Sequence, residues 1–463
     1  MNGTAKTTAS KTHRAFTMAG EAGALRWLWL LAMTVTAITV ATPFAFRIGG
    51  DNYYMACAIA SGLVAIMATI IAERTPIRRA LGLIIAIAVL LRIVLLFTEP
   101  MLSDDIYRYV WDGRVQAAGI NPYRYVPADE ALAKLRDAAI FPKINRADYA
   151  ATIYPPVAQA FFFLTTRLGE SVTIMKLALL ACEGVTAIVI VLLLKKLERP
   201  LTRLVAYAWH PLPLWEIANS GHVDALMVAL MMLGIWLAVT GFPLRGAAVV
   251  ALGILAKPFA VFALPAIWRV RDWKLPLVVL GVALLCYAPY LSLGKGALGF
   301  LAGGYLQEEQ LVSGDSIWAL MLWRKVFGAL SGDTAVYLSG ATVLIVAMAI
   351  VAANRGARST STVLADINTL LLTFLFLLSP NYPWYFLVAT PFVALVGGAP
   401  VWALTIGAVL LQEEAGWDEY VPVMIRKSIH FGVFLLACGY VAWRSWQANA
   451  MKGSLGGERV DAR

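Results

Sequence analysis

The stretch Leu102–Tyr125, LSDDIYRYVWDGRVQAAGINPYRY, sets two adjacent carboxylates, Asp104 and Asp105, ahead of a run of arginines and tyrosines. A carboxylate held against a hydroxyl can serve as a general base, and arginine is suited to holding an anion. Ser103 is placed to cap a helix that begins at Asp104. At helical spacing Ile106, Tyr109, Val110, Gly113 and Ala117 share one face. Asp104, Arg108 and Asp112 share another at i, i+4 and i+8, which suits an ion-pair ladder. On that plot Arg108 holds Asp104, while Asp105 sits off the ladder and is free to face a substrate. The plainer alternative is that both acids only complement the helix dipole.

A second group of ionisable side chains lies in HPLPLWEIANSGHVDALM, residues 210–227, where Glu216, His222 and Asp224 surround a short turn. Ionisable groups near membrane segments are costly and are candidates for function. His222 can bind an anionic oxygen as a cation or hydrogen-bond a hydroxyl; satisfaction by neighbouring backbone is the rival. For His210, beside Pro211, the backbone reading is preferred. Asn121 and Tyr123 belong to the proline-fixed turn GINPYRY, and Tyr154 to a second fixed turn, TIYPP. Tyr382, Trp384 and Tyr385 in SPNYPWY start a helix, either as interfacial belt residues or as rings that stack on a sugar face. The loop 295–328 carries Glu308-Glu309 and the basic pair Arg324-Lys325. A surface helix with solvated charges is the main reading of that loop, and a lid bringing the pair near a lipid phosphate is the other.

These groups must be positioned by apolar helices. The 463 residues are 60% hydrophobic and 14% charged, against about a quarter charged in soluble domains. Apolar runs of ~20 residues, enough for a ~30 Å hydrocarbon core, recur along the chain. Spans are expected near 26–46, 53–72, 80–98, 172–194, 204–218, 222–240, 274–292, 335–353, 363–379, 384–397, 400–412 and 425–444. Between the sixth and seventh, GAAVVALGILAKPFAVFALPAIW places Lys257-Pro258 at mid-depth. Proline breaks a helix, so this segment reads as a re-entrant hairpin, with a bent single span as the alternative. With the hairpin, the basic connections ERTPIRR, KKLERPLTR, WRVRDWK and NRGARS all face the cytoplasm. The long loops 99–171 and 293–334 and the acidic QEEAGWDEYVP then lie outside. Residues 1–25 and 447–463 read as disordered cytoplasmic tails flanking one transmembrane domain, 26–446. The net charge of +10 follows from this orientation, and a nucleic-acid partner is not expected. Cys57, Cys182, Cys286 and Cys438 lack metal-ligand or disulfide spacing, and neither a metal nor another cofactor is expected.

SDDIYRYVWDGRVQAAGINPYRY after a long span, TIYPP, NSGHVDALM, AKPFAVFALP and SPNYPWYF together resemble the GT-C fold glycosyltransferases, above all the bacterial polyprenol-phosphate-mannose-dependent α-mannosyltransferases. The likeness covers roughly residues 26–445. It implies an all-α polytopic membrane protein of GT-C type in the inner (plasma) membrane, with about twelve spans, the hairpin, and interfacial helices in a long external loop. It implies an inverting transferase that moves a sugar, mannose, from a polyprenyl phosphate to a glycan or lipid acceptor at the external, periplasmic face. The family spacing D-x-x-x-Y-x-x-x-G falls on Asp105, Tyr109 and Gly113, giving Asp105 the part of base. A shift of register gives it to Asp104. Candidates for contact with donor and acceptor are Arg108, Tyr109, Arg114, Asn121, Tyr123, Tyr154, His222, Asp224, Arg324, Lys325, Tyr382, Trp384 and Tyr385. A multi-pass transporter or lipid flippase is the alternative class. It predicts ionisable groups along a midplane cavity, whereas the richest polar clusters here gather on one face.

Overall fold

The computed structural model describes residues 4–73, 77–291, 296, 298–299, 304–355, 358–412 and 420–457, and side chains for most of them. The expected acidic stretch 412–422 and the start of the loop 293–334 fall largely outside the described residues. Those described are helical throughout, without a strand. Seven helices are long and apolar enough to cross a membrane: Gly23–Ala72, Arg79–Leu96, Val172–Lys196, Lys274–Leu291, Asp333–Asn354, Thr360–Leu378 and Val423–Asn449.

The first helix, α1 (Thr4–Ala72), contains both of the first two expected spans. Its backbone leaves helical geometry at Gly49 and Gly50, where φ reaches 59° at Gly50. A side chain at Gly49 would meet the Tyr53 ring at 2.0 Å. Four expected spans fall instead in shorter or interrupted apolar helices. The 204–218 segment is divided into pieces by Pro211 and Pro213 and ends in a π-helical turn, Leu214–Asn219. The 222–240 segment is a 16-residue helix, Asp224–Val239. The 384–397 and 400–412 segments both contain 3-10 stretches. The chain also leaves helical structure at Lys257, between the helix Pro243–Ile254 and a 3-10 turn, Pro258–Ala263, as expected where proline removes an N–H donor.

Helix α2 (Ile77–Leu96) leads into the polar segment. The helix α3 (Asp105–Ala117) follows, then an irregular stretch, then α4 (Pro156–Thr166) and the long α5 (Val172–Lys196). Inside the apolar layer α2 and α5 are joined by a bidentate ion pair. Arg92 donates to both oxygens of Glu183 at 2.6 and 3.1 Å and also to the Ala208 carbonyl. Helix α3 does not lie on a surface with one polar side. Tyr107, Arg108, Trp111 and Asp112 are buried along with the apolar face, because residues 118–155 wrap over it. Arg108 donates to the Ala150 carbonyl at 3.1 Å, and the Trp111 ring packs 5.5 Å from Phe141. On the opposite side Gly113 lets α4 approach, since a Cβ there would lie 2.5 Å from the Phe162 carbonyl.

The link between α2 and α3 is fixed by the turn after the π-helical segment. Asn219 donates to Thr98 and to the Glu99 carbonyl, and its own oxygen accepts from the Met101 N–H at 3.0 Å. Lys176 of α5 donates to the Thr98 carbonyl at 2.7 Å. Gly221 sits at φ +75° with Ile106 of α3 pressed against it; an added Cβ would fall 2.3 Å from Ile106 Cδ1. Gly221→Ala is therefore expected to cost about 1–2 kcal/mol, most of it from the left-handed backbone. A thermal unfolding scan of the purified protein checks this. Combining it with Ile106→Val, which removes the Cδ1 that the new Cβ would strike, should cost less than the sum of the two single losses while leaving the backbone part in place.

Candidate active site

Asp105 is the first residue of α3. Its N–H donates to the Ser103 hydroxyl at 3.2 Å, but the N-cap position falls on Asp104, which makes no side-chain capping bond, so the helix starts one residue later than expected and Ser103 is not its cap. Asp105 Oδ1 accepts from the Asn145 side-chain amide at 2.9 Å. Its Oδ2 lies 3.9 Å from Nδ1 of His222, whose Nε2 is 3.2 Å from Glu216. The imidazole is stacked on Trp384 with centroids 4.3 Å apart, and Tyr382 stacks on the other side of Trp384 at 4.4 Å. The SPNYPWY aromatics thus form a ring stack that ends at His222. Asp224 accepts from Lys257 at 2.6 Å, and the Lys257 ammonium stands 4.8 Å from the centroid of the Tyr385 ring. Lys257 reaches this cluster because the chain breaks at Pro258.

A further segment closes the opposite side. Glu308, at the end of the short helix Gly304–Glu308, pairs with Arg146, and Tyr305 shares a hydrogen bond with Tyr385. The Tyr385 hydroxyl also donates to Glu309 at 2.9 Å. Glu309 is buried, so the acidic pair expected to be solvated is turned inward. Burial lifts the Glu309 carboxyl above its usual range.

The two adjacent acids are driven apart. Burial raises the Asp105 carboxyl, but His222, the Asn145 hydrogen bond, Arg146 and Lys257 outweigh it and hold it below the ordinary value. Asp104 is exposed and is lifted by partial burial and by the charge of its neighbour, with Lys143 opposing. One acid is held ionised inside a ring of cations, and the other faces outward.

The remaining expected residues divide by position. The ladder is half formed: Arg108 pairs with Asp112 at 2.8 Å, and Gln159 donates to the same carboxylate, so Arg108 does not hold Asp104. Tyr109 and Tyr154 are buried beside Asp105, edge to face at 5.0 Å, with phenol groups raised by burial. Tyr123 donates to the Tyr154 carbonyl at 2.6 Å, and Asn121 accepts from the Tyr123 N–H. Those two residues shape the wall behind Tyr154. Arg114 lies on the last turns of α3, where Asp137 and Glu170 hold it at 2.6 and 2.8 Å. Arg324 is taken up by Asp315 and Asp333, and Lys325 is exposed. These three cations are not brought to Asp105. Asn145, Arg146, Glu309 and Tyr305 join the cluster with no pattern in the sequence to announce them. Lys257 and Glu216 carried a signal, an ionisable group in an apolar segment.

The fold and the site define a helical membrane protein with a buried acid–base cluster at the end of one apolar helix. Residues 16–271, more than half of the chain, match the family described as alpha-(1->6)-mannopyranosyltransferase, N-terminal domain, and the chain belongs to that family. Alpha-(1->6)-mannopyranosyltransferase A of Mycobacterium tuberculosis (strain ATCC 25618 / H37Rv) is 29% identical over 176 residues, 37% of this chain and 33% of that protein. The chain thus aligns with about a third of the length of this curated relative. No solved structure matches it. Asp105, Glu216, His222 and Lys257 fall within the matched residues, and the 382–385 aromatics do not.

A carboxyl whose folded value lies below its unfolded one, ~3.9 for aspartate, adds stability that is present above that pH. The contribution is lost as pH falls through the folded value. Asp105→Asn should therefore flatten the decline in melting temperature below about pH 4, where the wild type gives up this contribution. A melting series in detergent from pH 7 to pH 3 reads it.

Proposed function

We propose that the protein is an integral-membrane inverting glycosyltransferase. It moves mannose from a polyprenyl-phosphate donor to an acceptor hydroxyl at the external face, with Asp105 as general base. The observation that carries this reading is the ionised Asp105 carboxylate, set at the end of a membrane-spanning helix and ringed by His222, Arg146 and Lys257. Family membership and the mannopyranosyltransferase named among its relatives support the sugar. The GT-C fold, the re-entrant path around Lys257 and the external placement of the loop 99–171 belong to the same reading. The short basic connections at the other ends of α2 and α5 support that orientation.

The acceptor hydroxyl approaches Asp105, which takes its proton as the oxygen attacks the anomeric carbon. The bond from that carbon to the phosphate oxygen breaks on the opposite face, and the electron pair leaves with the polyprenyl phosphate. One displacement turns a β-linked donor into an α-glycoside. Charge that was on the carboxylate thus appears on the phosphate, and Lys257 and Arg146 are the cations close enough to receive it. Asp104 is exposed and points away from the cluster that holds Asp105, so the reading places the base on Asp105.

Purified protein in nanodiscs, given a panel of polyprenyl-phosphate sugars and membrane acceptors, should release polyprenyl phosphate from the mannosyl donor. Asp105→Asn should lower the rate by ~10²–10⁴-fold, the usual contribution of a placed base. Asp104→Asn should stay within a few-fold of wild type. Loss in Asp104→Asn alone would move the base by one residue. Movement of donor lipid between leaflets without release would replace the transferase by a flippase.

A further inference from the structure

Glu216 is fully buried in the π-helical turn, and His222 is only 1% exposed. The turn brings them together: the His222 N–H donates to the Glu216 carbonyl at 2.9 Å, folding the chain back so that the ring meets the carboxylate of the same residue. The side chains approach to 3.2 Å, yet off the line of a good hydrogen bond. Both Glu216 oxygens and both His222 nitrogens are left without a properly directed partner. Buried polar atoms in that condition are uncommon and call for an explanation. An imidazole can donate to two carboxylates at once only as a cation, because each ring nitrogen then carries a proton. Trp384, stacked on the ring, fixes its plane and leaves the two nitrogens facing the two acids.

We propose that Glu216 is a positioning residue: through His222 it holds an imidazolium against Asp105 and so sets the pH range over which Asp105 serves as base. The proposal rests on the reading of Asp105 as that base. Glu216 never meets substrate; it acts by keeping a proton on Nδ1 and Nε2 of His222. With the imidazolium in place Asp105 remains ionised until it takes the acceptor's proton. Without Glu216 the ring loses its cationic form more readily and the Asp105 carboxyl rises. The other groups that face this array stay in place. Asn145, Arg146, Asp104, Tyr109, Tyr154, Tyr305 and Lys257 surround Asp105, and Asp224, Lys257 and Tyr54 surround Glu216.

The test is the pH profile of kcat/KM for release of polyprenyl phosphate from polyprenyl-phosphate mannose by the full chain in nanodiscs, from pH 3 to pH 9, so that the acid limb of Asp105 falls inside the range. Glu216→Gln should move the acid limb up by about one pH unit, the size of shift that a neighbouring charge commonly produces. The alkaline limb should move down in the same variant. Glu216→Asp, which keeps the charge, should restore most of the wild-type profile. His222→Gln should raise the acid limb by itself, and adding Glu216→Gln should move it no further, since the two act as one unit. A Glu216→Gln enzyme that is slower at every pH with unmoved limbs overturns the proposal. If that variant does not fold, an unmoved acid limb in His222→Gln overturns it equally. Full activity in Asp105→Asn would bring down the base assignment and this inference together. An inactive Asp105→Asn beside unmoved limbs in Glu216→Gln would bring down this inference alone.

Discussion

The site depends on one close approach. The first turn of α3 and the turn after the π-helical segment are pressed together until Ile106 occupies the space where a side chain on Gly221 would lie. That contact puts Asp105 and His222 on the same side of a single seam, though more than a hundred residues separate them in the chain. Asn219 holds the seam from one end by gripping the α2–α3 link, and Lys176 holds it from the other. A side chain at Gly221 would have to displace the end of Ile106 and would strain the left-handed backbone on which this approach rests.

Around that seam acids and basic groups alternate: Asp105 lies beside His222, Asp224 meets Lys257, and Glu308 meets Arg146. In surroundings of low dielectric such an arrangement is strongly coupled, and the loss of any member leaves an uncompensated charge. It also explains why the segment from Gly304 onward is folded inward. Glu308 and Glu309 are anchored on Arg146 and Tyr385, and Lys427 of the last helix donates to the Ser316 and Ser379 carbonyls and to the Asn381 side chain. The C-terminal part of the chain therefore closes a cluster whose Asp105, Glu216, His222 and Lys257 come from the N-terminal part.

Much of this was legible in the sequence where chemistry and hydropathy coincide. A pair of acids directly after an apolar run marked the start of α3 to within one residue, because the end of the run and the polar residues that follow it are local signals, although Ser103 does not cap the helix. Ionisable residues in apolar surroundings, His222 and Asp224 among them, were visible for the same reason. The enclosure of α3 was not, since it comes from Arg108 and Trp111 finding partners 30 to 42 residues downstream. Arg146 is likewise invisible: a single arginine in a polar loop has no periodicity, and its left-handed backbone at φ 56° is a consequence of tertiary packing. Helical periodicity does not report interruptions either, so the 204–218 segment reads as one rod although its prolines and π-helical turn bend it around the site.

The ion pair between Arg92 and Glu183 has a consequence for how the chain is made. A lone arginine in an apolar helix costs up to about 2.5–3.5 kcal/mol to insert when it sits at the centre, and Arg92, one turn from the end of α2 at Leu96, carries a part of that cost. Its counter-charge arrives only with α5, after the whole polar segment from Thr98 to Ser171 has been synthesised. Until then the arginine must be sheltered by water, by lipid headgroups or by the insertion machinery. Once Glu183 arrives, the pair ties the two ends of that segment together in a single event. Assembly of the catalytic region is thereby coupled to completion of the fifth helix, and a truncated or stalled chain lacks the clasp that closes it.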